Sequence, residues 1–178
     1  MKKILFLALF TAFLMNETNA QFYAGGSLGN SFVNTDISDI DNESFKYDGN
    51  SFAWKVFAGV GLKSFLGIEG GYRDLGKIKN TANGSTTYAK TKGGDVALRG
   101  NINLGPVAAF AKAGVFFGTQ KIDELDFKDN NTNFMWGIGA ALNLGGFGVR
   151  LEYENLGMES GNSLSMLAIG GSIAFGSK

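Results

Sequence analysis

The stretch Gly146-Phe147-Gly148-Val149-Arg150-Leu151-Glu152-Tyr153-Glu154-Asn155-Leu156 sorts its side chains into two kinds. Phe147, Val149, Leu151 and Tyr153 alternate with Gly148, Arg150, Glu152 and Glu154. Successive side chains of a strand point to opposite faces, so one face is apolar and the other carries three charges and a glycine. No helix face gives that separation. In a soluble sheet the apolar row turns inward and the charges meet water; in a membrane barrel the apolar row meets lipid and the charges meet one another.

The same period of two runs through the flanking sequence. Before the stretch, Phe134, Trp136, Ile138, Ala140, Leu142 and Leu144 share a phase opposite Gly137, Gly139, Ala141 and Asn143, and Gly145-Gly146 is a tight turn. After it, a short loop at 157–162 leads to a final strand with Leu167, Ile169, Ile173 and Phe175 in phase. Earlier, Phe22, Ala24, Leu28 and Phe32 form the first row, and residues 52–62 the second, with Lys55, Phe57, Gly59 and Gly61 opposite. Lys63-Ser64 suffices for a hairpin turn into Leu66, Ile68, Gly70 and Tyr72. Val96, Leu98, Ile102 and Leu104 lead through Gly105-Pro106 to Val107, Ala109, Ala111, Ala113, Val115 and Phe117. Polar stretches at 34–50, 76–91 and 118–131 lack apolar periodicity and read as long loops, the first of them acidic.

Eight segments of about ten residues, joined alternately by long polar stretches and two-residue turns, predict an all-β, eight-stranded antiparallel up-and-down transmembrane β-barrel. A secreted lipocalin-like barrel has the same period. What separates the two is the polar phase: Lys55, Glu69, Arg73, Asp95, Arg99, Lys112, Arg150, Glu152 and Glu154, mixed in sign and set among glycines. Such a set can fill a narrow lumen as a paired charge network, whereas a solvated face has no reason to favour glycine. Trp54, Tyr72, Phe134, Trp136 and Tyr153 lie in the apolar phase toward strand ends, as an aromatic girdle at the headgroups requires.

The 178 residues hold no cysteine, no histidine, one proline and 27 glycines, with a formal net charge of zero. That balance argues against nucleic acid as a partner. Lys2 and Lys3 precede an apolar run over residues 4–14, and Thr18-Asn19-Ala20 suits a signal peptidase, so residues 1–20 are expected to be a cleaved signal peptide and residues 21–178 the barrel domain. The run is far short of the roughly 20 residues of a spanning helix.

Four segments carry a family resemblance: Phe22-Tyr23-Ala24-Gly25, Gly67-Ile68-Glu69-Gly70-Gly71-Tyr72 with Asp74-Leu75-Gly76, Arg150-Leu151-Glu152-Tyr153, and Ala168-Ile169-Gly170-Gly171-Ser172-Ile173-Ala174-Phe175. On these the mature chain resembles the transmembrane domain of outer-membrane protein A and the small eight-stranded outer-membrane barrels. The resemblance implies a Gram-negative outer-membrane location, contact with outer-membrane lipids and lipopolysaccharide, and insertion by the outer-membrane assembly machinery. Gly170, Ile173 and Phe175 stand at the spacing of its terminal assembly signal, although Gly176-Ser177-Lys178 follow where the family usually ends on the aromatic. The sequence stops after the barrel, so no peptidoglycan tether is expected. In that family, lumen carboxylates and bases exchange partners to gate a narrow pore. Glu69 and Arg150 match such positions and Arg99 stands where lysine is common, but Ala141 and Asn143 occupy the inward face of the sixth strand where a carboxylate belongs. Glu152 or Glu154 would have to substitute, and a static salt-bridged plug is the plainer expectation.

Acyl-transfer chemistry in small barrels relies on a histidine base, which is absent here, so no enzyme and no cofactor are expected. Asp39-Ile40-Asp41-Asn42-Glu43 lacks the glycine of a calcium loop, and no helix follows Gly25-Gly26-Ser27-Leu28-Gly29 to complete a phosphate cradle. Asn83-Gly84-Ser85 and Asn130-Asn131-Thr132 fit a glycosylation pattern that an outer-membrane protein does not normally meet. The expected role is a monomeric surface scaffold whose stretches 34–50, 76–91 and 118–131 contact an extracellular ligand; the alternative is a narrow channel for ions or small solutes.

Overall fold

A computed structural model describes residues 21–34, 50–82, 85–122, 127–157 and 163–175, which form eight strands and no helix. They are β1 (Gln21–Asn34), β2 (Asn50–Lys63), β3 (Leu66–Ala82), β4 (Ser85–Leu104), β5 (Val107–Ile122), β6 (Phe127–Leu144), β7 (Phe147–Gly157) and β8 (Ser163–Phe175). Each pairs antiparallel with the next. β8 returns to β1, from Phe22 opposite Phe175 to Asn34 opposite Ser163, and closes the barrel. Closure leaves no edge strand among the described residues, so the wall pairs strand to strand without needing water, as a bilayer demands. The expected signal peptide lies outside the described residues.

The two ends differ. At one rim the connections are two-residue turns at 64–65, 105–106 and 145–146. Gly105 and Gly145 open their turns at φ of 69° and 66°, a region other residues enter only under strain. The first turn falls one residue later than Lys63-Ser64, because Lys63 still pairs with Leu66 across an irregularity after Gly61. The other rim carries the longer connections, of which 35–49 and 158–162 lie outside the described residues.

Two of the expected loops are largely strand. β3 and β4 stay paired through residues 76–91 until Ala82 meets Ser85, and β5 and β6 stay paired until Ile122 meets Phe127. The polar sequence has no apolar phase to reveal a strand, but backbone pairing needs none. At Leu75 and Gly76 two residues of β3 oppose Thr91 alone, a bulge in which Gly76 has φ of 76° and its amide donates to Asp74 Oδ1 at 3.0 Å.

The barrel is inverted relative to a soluble protein. Ile102, Leu104 and Phe147 on the outside are 67%, 69% and 66% exposed, whereas Lys55, Glu69 and Arg73 inside are 1%, 1% and 0% exposed. An apolar belt of that extent is stable only against lipid. A hollow of about 890 Å³ bordered by Ile102, Ala109, Ala111, Ala140 and Leu151 opens along β4–β7, where alanines on the outward face leave the wall thin.

Candidate functional site

Glu69 is the hub of the lumen. Its Oε2 accepts from Arg150 Nη1 at 2.8 Å, Tyr23 Oη at 3.0 Å and Arg99 Nη1 at 3.4 Å; its Oε1 accepts from Lys112 Nζ at 3.0 Å and Arg150 Nη2 at 3.3 Å, with Lys55 Nζ at 3.6 Å. The arrangement follows from register. Arg99 lies directly opposite Lys112 across the β4–β5 ladder, a repulsive pairing until a carboxylate from β3 reaches both.

One layer toward the loop rim, Lys55 Nζ donates to Glu152 Oε1 at 2.8 Å and Glu154 Oε1 at 3.0 Å, and Lys112 Nζ pairs with the same two carboxylates. Arg150 Nη2 lies 3.0 Å from Glu152 Oε2. Beyond them Arg73 uses its fork fully: Nε and Nη2 donate to Asp95 Oδ2 at 3.0 and 2.6 Å, while Nη1 and Nη2 donate to Glu154 at 2.9 and 3.0 Å. The fixed five-donor geometry of guanidinium suits this site as a point-charge lysine could not.

All nine charged residues expected in the lumen thus point inward and meet in one network. Glycine makes the room: a Cβ on Gly137 would stand 3.1 Å from Glu154 Cγ and 3.3 Å from Lys112 Cε. Five cations face four carboxylates, Glu69, Asp95, Glu152 and Glu154, leaving one formal positive charge.

Two further features shape the lumen. Phe57, Phe110 and Phe116 occupy the charged phase, and the first two act as platforms: Arg150 Cζ lies 3.3 Å from the Phe57 ring centre and Arg99 Cζ 4.0 Å from that of Phe110. Alternation already sets these phenylalanines in the phase of Lys55 and Lys112; what it does not show is that two of them carry a guanidinium. The second feature is an apolar layer between Arg73 and the loop rim, where Ala53, Leu75, Met135, Leu156, Leu164 and Met166 are almost fully buried. The inward face is therefore not polar along its whole length. Ser31 Oγ there donates to the Leu75 carbonyl at 2.6 Å.

Trp54, Tyr72, Phe134, Trp136 and Tyr153 all face outward. They form two patches: Trp54 against Tyr72 with ring centres 6.1 Å apart, and Trp136 against Tyr153 at 5.7 Å, with Phe134 two residues along β6 from Trp136. Gly170, Ile173 and Phe175 do not share a face. Ile173 and Phe175 are exposed on the outside, while Gly170 faces the lumen against Ser27.

A vestibule of about 1000 Å³ enters the lumen from the turn rim, bordered by residues of all three turns, and has Arg99 and Arg150 among its lining. Among the described residues no grouping of acidic side chains could hold a metal ion.

A family model described as the OmpA-like transmembrane domain matches residues 17–163. Among solved structures, Ail of Yersinia pestis, in complex with the heparin analogue sucrose octasulfate, is similar at 13% identity over 89% of this chain and 100% of its own, with a TM-score of 0.62. Neisserial surface protein A is similar at 14% identity over 86% of this chain and 97% of its own, with a TM-score of 0.63. OprG of Pseudomonas aeruginosa is similar at 10% identity over 90% and 98%, with a TM-score of 0.62. At such identities the likeness is one of fold. No curated protein sequence matches the chain.

Proposed function

Because the chain belongs to the family of OmpA-like transmembrane domains, and is an integral barrel of the Gram-negative outer membrane, we propose that it is a non-enzymatic surface scaffold whose barrel anchors a ligand-contacting loop rim. The observation that carries this reading is the blocked lumen: beyond the turn-side vestibule, a layer of interlocked charges is backed by a layer of buried aliphatic side chains. Side chains nearly fill the interior of an eight-stranded barrel, and a barrel so packed is better suited to holding its rim than to passing solutes. The rim itself is sorted by charge. Residues 34–50 hold Asp36, Asp39, Asp41, Glu43 and Asp48 against Lys46, whereas 76–91 hold Lys77, Lys79 and Lys90. With β3–β4 and β5–β6 continuing as paired ribbons, a ligand would meet two extended hairpins as well as loops. The absence of histidine removes the general base on which acyl-transfer chemistry in small barrels relies, which supports a role without it.

The same reading has residues 1–20 removed as a signal peptide, residues 21–178 inserted by the assembly machinery through Gly170, Ile173 and Phe175, the two aromatic patches seated at the headgroups, and the barrel monomeric among lipids and lipopolysaccharide. The test is single-channel recording of the refolded mature chain in a planar bilayer, beside Arg150→Ala. Silence from a folded, heat-modifiable barrel is expected of both; discrete conductance that the substitution alters would replace the scaffold by a gated pore.

One observation favours that second reading, a narrow channel. The vestibule already opens the turn-side part of the lumen as far as Arg99 and Arg150, and Lys55 and Lys112 each contact three carboxylates, so partners could exchange.

A further inference from the structure

We propose that the turn-rim vestibule is a binding site for a small phosphate-bearing solute, gripped by Arg99. The cavity, at about 1000 Å³, has room for a molecule of sugar-phosphate size. Its lining includes Lys63, Arg99 and Arg150 but no aspartate or glutamate, and Asn101, Asn103 and Asn143 add neutral polar groups around the cations. A concavity with one sign of charge and low-dielectric walls concentrates counter-ions.

The cations differ in how far they are already neutralised. Arg150 places both terminal nitrogens on carboxylates, Nη1 on Glu69 at 2.8 Å and Nη2 on Glu152 at 3.0 Å. Arg99 meets a carboxylate once, at 3.4 Å from a Glu69 oxygen that also accepts from Arg150 and Tyr23. The unmatched positive charge of the network therefore rests most heavily on Arg99. Its guanidinium is nonetheless held in place, 4.0 Å from the Phe110 ring centre and 5.4 Å from that of Tyr23, with 12% of its side chain exposed. A fixed planar fork with spare donors is the group that recognises a phosphate in two-point fashion. The apolar layer closes the loop end, so the ligand would arrive from the turn side, as a soluble solute rather than as the headgroup of a lipid in the surrounding bilayer.

The experiment is a titration of residues 21–178, refolded in maltoside micelles free of phosphate, with glycerol 3-phosphate at constant ionic strength. The readout is the arginine Nε–Hε signals by NMR, with folding checked by heat-modifiable migration. A saturable shift of the signal that Arg99→Gln removes is expected. Arg99→Lys, which keeps the charge without the fork, should weaken binding at least fivefold, and Lys92→Gln, away from the vestibule, should leave it unchanged. A shift linear in ligand, or a wild-type affinity retained in Arg99→Lys, overturns the site. Saturation by dihexanoylphosphatidylglycerol but not by glycerol 3-phosphate overturns the soluble source.

Discussion

Arg150 and Glu69, 81 residues apart in sequence, meet across the lumen through two contacts of 2.8 and 3.3 Å, with the guanidinium stacked on Phe57. Both side chains are nearly inaccessible, so the loss of either leaves the other charge buried without its main partner. Removing one partner of a buried pair costs roughly 3–5 kcal/mol, because the remaining charge is stranded. Glu69→Ala strands more than one cation and is expected to lower the urea midpoint of the refolded barrel accordingly. Lys90→Ala, which breaks a partly exposed pair with Asp74, should cost about 0–1 kcal/mol, and Asp41→Ala, in the acidic stretch 34–50, is expected to cost as little. Equal midpoints for the three variants would refute the hub.

Tyr23 gives a graded version of the same measurement. Its hydroxyl donates to Glu69 Oε2 at 3.0 Å, but that oxygen also accepts from Arg150 and Arg99. Tyr23→Phe therefore leaves no oxygen unpaired and should cost only about 0.5–1.5 kcal/mol in the same urea titration. A loss as large as that of Glu69→Ala would mean that the phenol holds Glu69 in place.

The alternation from Phe147 to Glu154 was enough to assign each side chain of β7 to lipid or lumen, because a barrel wall has two contrasting environments and a strand samples them in turn. Where the contrast vanishes, so does the legibility. Residues 76–91 show no apolar row, yet their backbone pairs to the tip of the hairpin. Within the lumen, alternation picks out charged residues but not which of them pair. Which carboxylate Lys55 reaches depends on the register and tilt of strands far apart in the chain, and Glu152 and Glu154 lie 97 and 99 residues away. Leu75, Met135 and Leu164 were hidden for another reason: an apolar residue in the inward phase looks like a break in the pattern until all meet at one level of the barrel.

Gly170 and Gly171 are adjacent on β8 and point to opposite sides. A Cβ on Gly170 would collide with Ser27 Oγ and stand 2.7 Å from the Gly26 carbonyl, at the seam where β8 closes on β1. On Gly171 the nearest atom is the Gly148 carbonyl at 3.9 Å. Gly170→Ala is therefore expected to destabilise the barrel by about 1–3 kcal/mol, as overpacking does, and Gly171→Ala to have little effect. Unfolding of the purified variants checks this without the assembly machinery. If both glycines tolerate alanine in purified protein while Gly170→Ala alone fails to assemble in cells, Gly170 acts as a signal rather than as a packing site.

Two barriers stand in series along the lumen, the charge network around Glu69 and Arg73 and the aliphatic layer of Leu75, Leu156 and Leu164 beyond it. Opening either alone leaves the other shut. Arg150→Ala frees space next to the vestibule but leaves Arg73 bound to Asp95 and Glu154, with the aliphatic layer intact. Leu164→Ala removes a fully buried side chain, which costs about 2–5 kcal/mol, and leaves the charges locked. Neither single variant should pass current in a planar bilayer. Discrete conductance is expected first in a refolded barrel carrying Arg150→Ala, Arg73→Ala and Leu164→Ala together. Conductance in Leu164→Ala alone would show that the charged layer already admits ions, and would move the weight of the functional reading from scaffold to channel.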